Sequence, residues 1–200
     1  MENSENTNLA GGKLATKYQY VSAEELIAKM KTAFRNAKEP EILSELETVG
    51  ITESNLDDYL LEIADLEQLS QKQIKEYGEQ YAETDKFNLK RIEIDSLYTR
   101  HRNLAKIIFK GDRQSNTTLG IDEGRKRAFA AWFQQVSNFY AQILANPDFK
   151  TKAETVNIKD PDITAQQTAL EQITALKASQ KKEIGEAQKA TDTRDEALDL

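Results

Sequence analysis

The residues that could do chemistry are few, and they form no catalytic pattern. His101 is the only histidine in the 200 residues, and the sequence contains no cysteine. A single imidazole excludes metal sites that need two or more histidines. The lack of thiols excludes zinc ribbons, iron–sulfur clusters, disulfides and thiol catalysis. We therefore expect no metal and no cofactor.

The surroundings of His101 also fail to match known catalytic motifs. The residue three positions before it is Tyr98, so the Glu-x-x-His pairs of carboxylate-bridged di-iron bundles are absent. H-E-x-x-H, G-x-x-x-x-G-K-[ST], G-x-S-x-G and a calcium loop are absent too. His101 stands between Leu97 and Leu104 on an apolar stripe, where we expect a buried histidine bonded to a carboxylate or a carbonyl. The sequence therefore predicts a protein that is not an enzyme.

Positive charge is concentrated in residues 86–127. The whole chain has a net charge of −7, but this segment has eleven Lys or Arg against five Asp or Glu. Clustered arginines can bind phosphates through paired hydrogen bonds, and such binding weakens with added salt. The cations expected to contact a polyanion such as nucleic acid are Arg91, Arg100, Arg102, Lys106, Lys110, Arg113, Arg125, Lys126 and Arg127. We favour the competing interpretation, in which they pair with acidic helices of the same chain.

The elements that must position these residues are all helical. Apolar residues recur at steps of three and four. They predict helices over residues 22–38, 41–49, 55–110, 122–145 and 162–200. Ser22 with Glu25 fits a capping box, and Asp160-Pro161 fits the start of the last helix. Gly78 leaves open whether the longest helix is continuous or divided, and residues 111–120 and 148–159 are expected as loops.

Three apolar faces would build the core. The longest helix is expected to turn one stripe inward: Leu56, Tyr59, Leu60, Ile63, Leu66, Leu69, Ile74, Tyr77, Tyr81, Leu89, Ile92, Leu97, His101, Leu104 and Ile108. The helix over 122–145 is the most hydrophobic, and we expect its wide stripe, which includes Phe129, Trp132, Phe133, Phe139 and Tyr140, to form the core. The last helix has a thinner seam: Leu170, Ile173, Lys177, Gln180, Ile184, Ala187, Thr191, Arg194 and Leu198.

These faces predict an all-α fold. We expect an elongated antiparallel helical bundle, in effect a long helical hairpin of four-helix-bundle type with coiled-coil character. Residues 21–200 would form a single domain, and residues 1–20 a disordered or extended arm. Acidic residues close to Leu200 oppose the helix dipole. They indicate either a truncated chain or a frayed acidic end.

The expected function follows from these exclusions. No secretory signal or transmembrane segment is visible, so a cytoplasmic location is expected. We expect a non-enzymatic scaffold or adaptor that acts through a protein partner or self-association. The alternative is polyanion or nucleic-acid binding through residues 86–127. A third interpretation is a helical protein that inserts at a membrane interface or forms a pore.

Overall fold

A computed structural model describes residues 22–198 of the protein. The expectations for residues 1–20 and for the end at Leu200 lie outside these residues. The described residues are 85% helical and contain no strand. The all-α helical bundle is therefore confirmed, whereas the elongated shape and the coiled-coil character stay predictions.

Seven helices follow one another along the described residues. They are α1 (Ala23–Ala37), α2 (Pro40–Thr48), α3 (Glu53–Ile108), α4 (Arg113–Thr118), α5 (Phe129–Ala145), α6 (Pro147–Thr155) and α7 (Asp160–Leu198). The Ser22 hydroxyl accepts a hydrogen bond from the backbone N–H of Glu25, which confirms the Ser22 half of the expected capping box. The Glu25 carboxylate pairs with Lys29 at 2.6 Å. Helix α3 runs through Gly78 without a break, so the continuous alternative is the correct one.

The chain divides into two compact units, with the boundary after Gln68. Each unit is described by itself, and the expectation of a single domain over residues 21–200 stays a prediction. The first unit contains α1, α2 and the start of α3. Its buried apolar residues are Ile27, Leu56, Ile63 and Leu66. The rings of Phe34 and Tyr59 stack there with their centroids 5.1 Å apart.

The second unit contains the main hydrophobic core. The aromatic helix α5 buries Trp132, Val136, Phe139, Tyr140 and Ile143. These side chains pack with residues of α3, α6 and α7, among them Ile94, Tyr98, Phe109, Phe149, Ile163, Leu170 and Ile173. The prediction that the aromatic stripe forms the core is confirmed. None of the helices in residues 22–198 combines the length and the apolar character that crossing a membrane requires.

Helix α5 begins later than the sequence predicted. It starts at Phe129 rather than near residue 122. The side-chain amide of Gln135 accepts a hydrogen bond from the backbone N–H of Lys126 and donates one to the carbonyl of Gly124. Arg102 donates to the carbonyls of Ile121 and Glu123. These contacts satisfy backbone groups that a helix would otherwise have paired, so the segment before α5 is not helical.

Both predicted loops contain a short helix. In the first, the Asp112 carboxylate accepts from the backbone N–H of Ser115 at 3.0 Å and begins α4. In the second, the Asn146 side chain accepts from the N–H groups of Asp148 and Phe149, and Pro147 is the first residue of α6. Asn146-Pro147 thus combines an N-cap residue with proline at the first helical position.

Candidate functional site

Helix α3 exposes an apolar face that the sequence analysis placed inside. Ile74, Tyr81, Leu89 and Ile92 are between 62% and 67% exposed. With 3.6 residues per turn, these four positions fall within about 80° of the helix circumference. We call them the outer face of α3. Their assignment to the inner stripe was wrong.

Polar residues take the inner positions of the same stretch. Gln73 donates a hydrogen bond to the hydroxyl of Thr191 in α7 at 3.1 Å. Gln180 of α7 donates to the hydroxyl of Thr84 at 3.3 Å. Ser70 is buried in the same stretch of α3. Since these polar side chains face α7, the neighbouring apolar side chains are turned outward.

One residue of the predicted α7 seam, Ile184, is turned outward in the same way. Ala187 and Ala190 are buried, whereas Ile184 is 45% exposed. The side chain of Glu183, one position earlier, is only 14% exposed. The predicted seam therefore holds at Ala187 and at Thr191, which bonds to Gln73 of α3, and moves back by one residue at Ile184. Small and polar side chains fill this part of the interface between α3 and α7.

One of the nine predicted polyanion contacts does not lie on the surface. Arg102 is only 5% exposed. Its guanidinium donates to the carbonyls of Ile121, at 3.2 Å, and Glu123. Arg102 therefore fixes the segment before α5, and it is not available to an external ligand.

Four of the predicted cations come together at one surface pocket of about 200 Å³, which we call the cationic pocket. Its lining residues are Arg91, Ile92, Asp95, Arg125, Lys126, Arg127 and Trp132. Helix α3 supplies Arg91, Ile92 and Asp95. The segment before α5 supplies Arg125, Lys126 and Arg127, and α5 itself supplies Trp132. Asp95 and Trp132 were not among the predicted site residues, because only the fold brings them to the basic segment.

The side chains of the cationic pocket hold one another in place. The indole N–H of Trp132 donates to Asp95 at 2.9 Å, and Arg125 pairs with the same carboxylate. The Arg91 guanidinium lies 5.1 Å from the centre of the Trp132 ring and donates to the backbone carbonyl of Arg127. The Arg127 side chain has no hydrogen bond or ion pair within residues 22–198. It is the cation of this pocket with a free head group.

The remaining four predicted cations are exposed. Arg100 and Lys106 lie on the last turns of α3, Lys110 lies in the turn that follows, and Arg113 begins α4. Their side chains make no hydrogen bond or ion pair with other described residues. The expected pairing with acidic helices is therefore not seen for these four. Their contact with a polyanion stays a prediction.

His101 is buried, as expected, but its partner differs from the expected one. Its Nδ1 atom lies 3.1 Å from the hydroxyl oxygen of Tyr140, rather than next to a carboxylate or a carbonyl. Burial lowers the pKa of His101, with Arg100 lowering it further and Asp162 opposing the shift. Burial also raises the pKa of Tyr140. The two rings thus form a neutral polar pair inside the core.

One acidic cluster escaped the sequence analysis because its members come from two helices. Carboxylate oxygens of Glu76, Glu79 and Glu183 all lie within 4.8 Å of one another. Lysines of the same chain already neutralise two of them: Lys75 lies 3.2 Å from Glu79, and Lys182 lies 3.4 Å from Glu183. Acidic groups that already have lysine partners give no reason to assign a metal site.

Comparison of the sequence and structure with protein-family models, with curated proteins and with solved structures gave no match. The function must therefore be inferred from the outer face of α3 and from the cationic pocket.

Proposed function

We propose that the protein is a non-enzymatic helical scaffold that acts through protein–protein contacts, and that two copies pair through the outer face of α3. The observation that carries the proposal is the exposure of Ile74, Tyr81, Leu89 and Ile92 on one side of one helix. Fully burying a side chain of this size contributes about 1.5–3 kcal/mol. Several exposed apolar side chains on one side of a helix are typical of an interaction surface, although the exposed Asp85 lies among them.

The spacing of the outer face favours a second copy as the partner. Ile74 and Ile92 are 18 positions apart, which corresponds to about five full turns, so they project on the same side. In an antiparallel pair centred between them, Ile74 of each copy lies opposite Ile92 of the other. Leu89 then lies close to Gly78 of the other copy. A Cβ atom at Gly78 would meet nothing within 4 Å, so this position has room for a leucine side chain.

The charges beside the outer face are complementary in the same arrangement. Lys75 and Glu93 follow the two isoleucines and are also 18 positions apart. An antiparallel pair places Lys75 of each copy near Glu93 of the other, at both ends of the contact. A two-fold symmetric interface makes every contact twice. One self-complementary pattern therefore accounts for both the apolar and the charged positions.

Two further observations support a scaffold over the other candidate functions. The titratable core residues His101 and Tyr140 bond to each other, which is a packing arrangement rather than a catalytic one. Polyanion binding over an extended surface is less favoured, because Arg102 is buried and Arg125 is paired with Asp95. Fewer free cations then remain than the sequence suggested.

Sedimentation equilibrium of the full chain over a wide concentration range tests this proposal. We expect a monomer–dimer equilibrium. Ile74→Asp and Ile92→Asp should each weaken the dimer at least about tenfold, which corresponds to about 1.4 kcal/mol. Leu61→Asp is the matched control, because Leu61 is equally exposed on α3 but lies outside the outer face. Circular dichroism would verify that each variant is folded.

A charge exchange tests the antiparallel arrangement. Lys75→Glu should weaken the dimer, and the double variant Lys75→Glu with Glu93→Lys should restore it. A wild-type chain that stays monomeric at every concentration would overturn the proposed pairing. So would an equal loss of dimer in Leu61→Asp.

A further inference from the structure

We propose that the cationic pocket binds a phosphate group, carried by inorganic phosphate, by pyrophosphate or by a small phosphomonoester. This site is separate from the scaffold function and does not depend on it. Four cations and a single acid line the pocket, and Glu123 pairs with Lys126 at 2.6 Å, which leaves a local charge of +2 in a chain whose net charge is −7. A dianionic ligand would offset that local charge.

Two of the donors are already held in place. Arg91 is held by the Trp132 ring and by the carbonyl of Arg127, and Arg125 is held by Asp95. Donors fixed in this way lose little conformational entropy when a ligand binds. The guanidinium fork of arginine also matches the geometry of phosphate oxygens. The free head group of Arg127 would complete the set of donors.

The sequence position of these cations agrees with an anionic ligand. Arg125, Lys126 and Arg127 immediately precede α5, where the helix dipole disfavours positive charge. The N-cap residue Ala128 has no side-chain oxygen to accept from the first turn. A bound anion would compensate both features. The position of these cations before α5 therefore supports the phosphate site, for which the charge and the shape of the pocket are the main evidence.

The size of the pocket restricts the ligand. Its volume of about 200 Å³ is below the range of about 300–1,000 Å³ typical of pockets for drug-sized ligands. The Trp132 side chain is buried, and its ring already contacts Arg91. The indole therefore offers no free face for stacking a nucleobase, which single-stranded nucleic acid commonly uses. A compact phosphate compound fits better than a nucleic acid.

Trp132 is the only tryptophan in the chain, so its fluorescence reports on this pocket. The experiment is a titration of the full chain at low salt with sodium pyrophosphate and, in a second arm, with inorganic phosphate. We expect a saturable change in fluorescence, with calorimetry giving the same affinity. Arg127→Ala should weaken binding at least tenfold, and Arg91→Lys should weaken it while keeping the charge.

Two control variants test whether the binding is specific to this pocket. Lys110→Ala removes an exposed cation outside the pocket and should leave the affinity unchanged. Ile74→Asp disrupts the proposed dimer contact and should also leave it unchanged, so failure of one proposal does not imply failure of the other. The absence of saturable binding to wild type would overturn the phosphate site. Equal losses in Lys110→Ala and Arg127→Ala, or tighter binding of a single-stranded oligonucleotide, would also overturn it.

Discussion

The Nδ1 atom of His101 lies 3.1 Å from the hydroxyl oxygen of Tyr140, and both side chains are buried in the core of the second unit. Tyr140 also packs edge-on against Tyr98, with ring centroids 6.4 Å apart. Burial lowers the pKa of His101 and raises that of Tyr140, so the folded state favours the neutral form of each group. The pair therefore couples folding to pH.

The first prediction is that acid destabilises the protein partly through His101. Because its pKa is lower in the folded state, the unfolded chain binds the proton more readily. Stability from this group is therefore present above the unfolded-state pKa of about 6.5 and is lost as the pH falls below it. Urea unfolding at several pH values should show wild type losing stability relative to His101→Gln in this range. Parallel pH profiles would contradict the prediction.

The second prediction compares two arginines of α3. Replacing Arg102 with methionine strands the buried carbonyl of Ile121 and frees that of Glu123. A stranded buried acceptor costs about 1–3 kcal/mol. Arg100→Met removes an exposed side chain two positions away and should change stability by less than about 0.5 kcal/mol. Urea unfolding followed by Trp132 fluorescence measures both, and equal effects would contradict this role for Arg102.

The third prediction concerns the aromatic core. Phe139 is fully buried and packs edge-on against Tyr98, with ring centroids 5.4 Å apart. Phe139→Ala should cost about 3–5 kcal/mol, because it removes apolar contacts and leaves a cavity. Ile184→Ala, at a half-exposed position of α7, should cost less than about 1 kcal/mol. A small effect at Phe139 in urea unfolding would place the core elsewhere.

The fourth prediction tests the cap of α6. The Asn146 side chain accepts from the N–H groups of Asp148 and Phe149. Asn146→Ala should therefore destabilise the protein by about 1 kcal/mol, whereas Asn146→Asp should keep the cap and most of the stability. Thermal unfolding of the two variants distinguishes a cap from an incidental contact.

The fifth prediction is a stabilising substitution. The Ser70 hydroxyl is buried and has no hydrogen-bond partner among the described residues. Ser70→Ala removes an unsatisfied polar group without creating a large cavity, so it should raise stability by about 1 kcal/mol. A loss of stability in urea unfolding would mean that this hydroxyl has a partner.

The sequence predicted the helices better than their faces. Apolar residues at steps of three and four correctly predicted that α3 is a helix. Ile74 and Tyr81 were placed in the interior only because they are apolar, and that placement was wrong. Which side of a helix faces inward depends on its partner. Here Thr191 and Gln180 of α7 bond to Gln73 and Thr84. That pairing joins residues about a hundred positions apart in the chain, so no local pattern contains it.

The candidate site was predicted in part for a similar reason. Arg91 and Arg127 were identified by charge, and the fold brings them together at the pocket. Charge could not distinguish them from Arg102, which has the same side chain but is buried. The supporting roles of Asp95 and Trp132 depend on contacts between α3 and α5. The α6 start at Asn146-Pro147, by contrast, was readable from the sequence.

The polar seam between α3 and α7 has a consequence for dynamics. Around Gln73, Thr84 and Thr191 the two helices bury little apolar surface, so this stretch should open locally at lower free energy than the aromatic core. Backbone amides there should exchange with deuterium earlier than those around Phe139. If two copies associate through Ile74 and Ile92, exchange in this stretch should slow with rising protein concentration. Dimer formation would then stabilise this stretch of α3 and α7 against local opening.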